Sequence, residues 1–210
     1  LSPLRNSLVL SISATAISLI MGSLVAYTAV RRKFKGRWLI DMLVMLPFVL
    51  PGIVVGVALL TSFGAPPFYI AGTASILIIA YVIRRMPYVF RSASGALQGM
   101  DPVLEQASGI MGAKWVTTFS KITFPLIAPS VTAAGLLTFT TLIGELSTTM
   151  MLYSARWKTA TVTIYEYLLE DMLGPACAMG TIINVIVLVG VFSATKLLGE
   201  KMSNMFGGAG

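Results

Sequence analysis

The sequence contains no histidine and a single cysteine, and only 11% of its residues are charged. The missing histidine excludes histidine-based metal and catalytic sites, and one cysteine excludes a disulfide within the chain. A typical soluble domain is about 25% charged. So few charges, with 56% hydrophobic residues and a mean hydropathy of +0.87, point to lipid as the solvent. Acids are scarcer than bases, with Asp+Glu 8 against Lys+Arg 15 and a net charge of +7. In a hydrophobic chain such an excess marks cytoplasmic loops rather than a nucleic-acid surface, so no nucleic-acid partner is expected. A Walker A motif is absent, so ATP hydrolysis is not expected of this chain. There is no GxSxG serine and no pair of carboxylates within an apolar run, which leaves an intramembrane enzyme without support. The chain also lacks an initiating methionine and a recognisable signal peptide, beginning "LSPLRNS". It is expected to be one domain of 210 residues cut from a longer polypeptide.

What is present is a series of long apolar runs. A membrane-spanning helix needs about 20 mostly apolar residues, and the stretches 8–30, 38–61, 67–90, 122–144 and 175–198 qualify. The loop "RRKFKGR" (31–37) is basic without an acid and is expected on the cytoplasmic side. The uncharged "SFGAPPF" faces outward. Arg84, Arg85 and Arg91 return the chain to the cytoplasm, where Lys114 and Lys121 follow, and Lys196 and Lys201 end inside. This polarity places the N-terminus outside and implies at least one further span upstream. Ser18, Gly22 and Ala26, Gly52 and Gly56, and Ala176 and Gly180 are spaced for close helix packing, as in any apolar bundle. Pro47 and Pro51 are expected to kink the second span.

Between the third and fourth spans lies "SASGALQGMDPVLEQASGIMGAKWVTTFSKITFP". Asp101 followed by Pro102 reads as a helix N-cap with proline at the first helical position. Leu104, Ala107 and Met111 then fall on one stripe, flanked by Val103 and Ile110. Gly112 breaks the helix, and a second short helix is expected from Lys114 to about Lys121, with Trp115 and Phe119 on one face. The segment fits either a helix lying at the membrane interface or one that docks into a groove on a soluble partner.

This segment resembles the permease subunits of binding-protein-dependent ABC importers of the type I fold. Their motif reads Glu-Ala-Ala, three residues, Gly, nine residues, Ile, one residue, Leu-Pro. Here Gln106-Ala107-Ser108, Gly112, Ile122 and Phe124-Pro125 hold that spacing, with glutamine, serine and phenylalanine as the three departures and Glu105 one residue early. The likeness covers the whole chain in span order. It implies an all-α integral membrane fold: five transmembrane helices with a cytoplasmic coupling helix in a loop of about 92–121. It implies partners as well: a dimeric ABC ATPase subunit that binds ATP and magnesium, a second permease unit, a periplasmic or lipoprotein substrate-binding protein, and membrane lipid. No cofactor is expected on this chain. The coupling residues so implied are Leu104, Glu105, Gln106, Ala107, Met111, Gly112 and Ala113, and the location is a bacterial inner membrane.

Beyond the fourth span runs "GELSTTMMLYSARWKTATVTIYEYLLED". Glu145 stands at the outer end of that span by residue count. It is either a functional group, the default for an ionisable residue near lipid, or a plain interfacial carboxylate. With Ser147 and Thr148 it forms the expected pathway or gate. Residues 157–169 suggest a short amphipathic element with Ile164, Tyr165 and Leu168. This stretch looks most like ferric iron permeases, and next like those for 2-aminoethylphosphonate or thiamine; two copies of the unit in one polypeptide are common in that group. No metal site is legible: Tyr153, Glu166 and Glu170 are not spaced as ligands. A secondary transporter or channel is the competing class, but it needs acids within spans, and Asp41 alone lies in one.

Overall fold

The computed structural model describes residues 2–32 and 35–206, of which the side chains of 197–206 are not considered. Lys33 of the basic loop and the side chain of Lys201 therefore lie outside the described residues. The described chain is helical throughout. It runs α1 (Ser2–Arg31), α2 (Arg37–Val49), α3 (Gly52–Phe63), α4 (Ala74–Gly99), α5 (Val103–Ile110), α6 (Trp115–Thr118), a π turn (Phe119–Thr123), α7 (Phe124–Ile143), α8 (Thr149–Leu152), a 3-10 turn (Ala155–Trp157), α9 (Ala160–Leu169) and α10 (Leu173–Phe206).

The expected five spans are redrawn. Three helices among the described residues are long and apolar enough to cross a membrane: Ser2–Arg31, Trp115–Ile143 and Leu173–Lys196. The second expected span is two helices, α2 and α3, bent by 106° at residues 50–51. Pro51 cannot donate to the preceding turn, and Leu50 before it is extended at φ −71° and ψ 142°, so the helix ends rather than kinks. The third expected span begins at Ala74, not at residue 67, and continues as α4 to Gly99. Arg84 and Arg85 consequently lie within a helix and not at its cytoplasmic end. The second short helix expected after Gly112 is not separate either. α6 passes through the π turn into α7, making one 29-residue helix from Trp115 to Ile143.

α1 and α4 pack side by side and run in the same direction. Leu10 and Ala14 share a buried cluster with Ile76, Leu77, Ala80 and Tyr81. Further along, Ala26 and Tyr27 share a second cluster with Val89, Phe90, Ala93 and Leu97, joined by Ile127, Val131 and Ala134 of α7. Two parallel neighbours fit the alternating polarity inferred from the loops. Their close approach needs Gly22, where an added Cβ would lie 2.9 Å from Val89 Cβ. On α4 the two apolar clusters are separated by Arg84 and Arg85.

Candidate functional site

Two places carry polar chemistry. The first is the turn that follows α4. Val103 N–H donates to Asp101 Oδ1 at 2.9 Å, which makes Asp101 the N-cap of α5. At the other end Gly112 is left-handed at φ +79°. Its N–H bonds to Gly109 O at 3.0 Å, and Ala113 N–H bonds to Ser108 O at 3.1 Å. That pair of bonds is a Schellman motif, which stops the helix and reverses the chain. Ser108 and Thr118 hydroxyls meet at 2.9 Å and close the two arms of the turn.

No residue of α5 is buried. An eight-residue helix is marginal in water, so this one depends on its anchors. Glu105 points back into the bundle, where its carboxylate accepts from Arg31 Nε at 3.3 Å, Tyr27 OH at 3.3 Å and Thr123 Oγ1 at 2.9 Å. Arg31 also donates to Met100 O at 3.0 Å. Trp115 and Phe119 stack at 5.5 Å, and Tyr27 meets both edge-on. The opposite side is bare: Leu104, Gln106 and Ala107 are exposed, as are Ile110 at 89% and Met111 at 87%. Glu105 thus holds the turn to α1, while Leu104, Ala107 and Met111 lie free with Val103 and Ile110. Ala113 is half-buried in the return arm.

The second place is where Arg84 and Arg85 meet Glu145. Arg84 Nη1 donates to Glu145 Oε1 and to Thr148 Oγ1, both at 2.8 Å. Arg85 Nη2 donates to Glu145 Oε2 at 2.8 Å, and Thr148 N–H donates to Oε1 at 3.1 Å. Two guanidiniums and an amide hold the carboxylate in its charged form. Glu145 is therefore buried and paired, not an interfacial carboxylate in water, since its side chain is only 5% exposed. Next to it Tyr81 and Thr149 hydroxyls share a bond of 2.6 Å. α3 begins against this cluster: a Cβ on Gly52 would lie 2.7 Å from Arg84 Nη1 and from Ser147 Cβ. Gly56 makes room for Met151 in the same way, so both glycines serve the approach of α8.

The outer segment closes over the start of α1. Asn6 Nδ2 donates to Arg156 O and Lys158 O, each at 2.9 Å, and Ser7 accepts from Ala160 N–H at 2.9 Å. The amphipathic element is present as α9, but its buried face is Ala160, Val162 and Thr163. Of the three residues expected on one face, Ile164 packs against Ile143, Ala160 and Ile183, while Tyr165 and Leu168 look outward. Lys158 pairs with Glu166 at 2.6 Å, and this hydrogen bond raises the pKa of the ammonium. No group of three or more metal-ligating side chains occurs among the described residues. The partnership of Arg84 and Arg85 with Glu145 is the site that sequence reasoning missed. Its signal was two arginines inside an apolar run, which in lipid demand an acid elsewhere.

A helical bundle with long apolar helices, a broken span and a buried charge cluster defines a membrane-embedded helical domain. Residues 15–204 match the family described as binding-protein-dependent transport system inner membrane component, and the chain belongs to it. The chain is 30% identical over 197 residues to the ferric transport system permease protein FbpB of Actinobacillus pleuropneumoniae, covering 94% of this chain and 29% of that protein. It is 28% identical over 206 residues to the sulfate transport system permease protein CysT of Salmonella typhimurium, covering 92% and 74%. The chain thus spans less than a third of the ferric relative. Among solved structures, it superposes on a bacterial ABC transporter involved in the import of the acidic polysaccharide alginate with a TM-score of 0.81, at 19% identity over 95% of this chain and 78% of that one. That likeness confirms the all-α importer-permease fold.

Proposed function

We propose that this chain is one permease unit of an ATP-driven importer of a bacterial inner membrane, and that it forms half of a substrate pathway. α5 and its turn dock into a separate ATPase subunit, which binds ATP and magnesium. A second permease unit, in the same polypeptide or as another copy, supplies the other half. A binding protein delivers cargo at the outer face, where Glu145, Ser147 and Thr148 belong to the gate. The observation that carries this reading is the anchored but uncovered turn. Glu105 fixes α5 from one side, while Leu104, Ala107 and Met111 offer an apolar surface on the other. An element of that build transmits a push from a partner without bending.

Ferric iron is the cargo we favour, on the strength of the ferric relative. Sulfate is the second reading, favoured by a relative matched over 74% of its own length. Purification of the intact complex tests the assignment. An ATPase subunit and a binding protein should copurify, and uptake should stop when ATP is depleted. Uptake that continued without ATP would instead mark a secondary transporter or channel.

A further inference from the structure

The charges around Glu145 do not balance. Two guanidiniums face one carboxylate, and their side chains are only 12% and 17% exposed. Among the described residues no second carboxylate lies within 4.0 Å of either arginine. Glu145 already accepts from Arg84, Arg85 and the Thr148 amide. Each guanidinium carries five N–H donors, yet Arg84 Nε and Arg85 Nε are buried without an acceptor. Arg85 also lies over the ring of Tyr88, 5.9 Å from its centroid.

The position of this surplus positive charge matters. Arg84 and Arg85 stand about 15 Å along α4 from Ala74, in the interior of a 26-residue helix and away from both its ends. Two stretches of non-helical backbone meet there: the break before Gly52, and residues 144–148. Irregular backbone inside a membrane domain belongs where it is buried in protein or lines a cavity, and broken helices build substrate sites in transporters. An uncompensated guanidinium in such a place is costly. An anion beside it removes the cost.

We propose that Arg84 and Arg85 form an anion subsite on the conduction path, so that cargo passes this level as an oxyanion. The oxyanion is either the cargo itself or a ligand wrapped around a ferric ion, whose hard charge calls for oxygen donors. The spare N–H groups of the two arginines bind its oxygens as it passes. A bare cation is turned away by the surplus charge. This inference rests on the permease reading above.

The test uses the intact importer, with its ATPase and binding protein, in proteoliposomes. Four probes are offered: sulfate, molybdate, ferric ion complexed by phosphate, and thiamine as a cationic control. The wild type should take up at least one of the three anionic probes and exclude thiamine. Arg85→Gln leaves one arginine for one carboxylate, and should lower anion uptake about tenfold or more without lowering the unfolding temperature. Arg85→Lys keeps the charge and should restore most of the uptake. Unchanged anion uptake in Arg85→Gln, or ATP-driven uptake of thiamine, would overturn the subsite. Anion uptake that ignored ATP would overturn the importer reading instead, and the two failures are told apart by the ATP-depleted arm.

Discussion

At the scale of single residues, two acids that look alike in sequence have different tasks. Glu105 stands one place before the family motif and holds the turn to α1 through Arg31, Tyr27 and Thr123. Hydrogen bonds to a charged group contribute about 1.5–3 kcal/mol. Glu105→Ala should therefore free α5 without unfolding the bundle, and hydrogen exchange at residues 103–113 should quicken while that of α4 stays slow. Glu145 sits between two arginines instead. Removing it leaves two buried cations unpaired, so Glu145→Leu should destabilise the protein by about 3–5 kcal/mol, read as a drop in the unfolding midpoint in detergent. Neither task was legible from the residues alone. The positive-inside rule treats an arginine as a loop marker and is blind to one that stays in a helix with a partner 60 positions away. The structure shows that partner as Glu145 for both Arg84 and Arg85.

At the scale of elements, local signals read well and long-range ones poorly. The Asp101 cap and the glycine stop at Gly112 were visible because both are set by chain chemistry within four residues. Of the two prolines expected to kink the span, Pro47 lies inside α2, which continues to Val49, and the break falls at Pro51. Pro51 favours an extended Leu50, and with Pro51 itself at ψ 139° the two residues make the 106° turn. The fusion of α6 with α7 through the π turn is hidden in the sequence, because Lys114 and Lys121 set the expected short helix apart from the apolar run that begins at residue 122. Gly112 carries the turn by backbone conformation only, since a Cβ there would meet nothing within 4 Å. Gly112→Val should then cost about 1–2 kcal/mol locally. It should unwind the end of α5, lowering ATPase stimulation while the protein still inserts. Gly22 is limited by space instead. Gly22→Leu should push α1 from α4 and cost about 1–3 kcal/mol, again visible in the unfolding midpoint.

At the scale of the whole molecule, the apolar runs were legible because lipid demands length and hydrophobicity from every span. Their continuity was not. A run of 24 residues can be one helix or two at an angle, and hydropathy is blind to the difference. The parallel packing of α1 and α4 agrees with the loop charges, and it sets both the α5 turn and the outer cover over Asn6 at opposite ends of α1. The proposed function joins these ends in one reading: a partner that pushed on α5 would move α1 through Glu105, and α4 would carry the motion toward Arg84, Arg85 and Glu145. Its central claim is that the exposed side of α5 is where the ATPase acts. The direct measurement is ATP hydrolysis by the reconstituted importer, with and without loaded binding protein, in the wild type and in Met111→Glu. The account predicts stimulation in the wild type and its loss in the variant, which should still insert in the membrane and keep the anchor at Glu105. Equal stimulation in both proteins would contradict it.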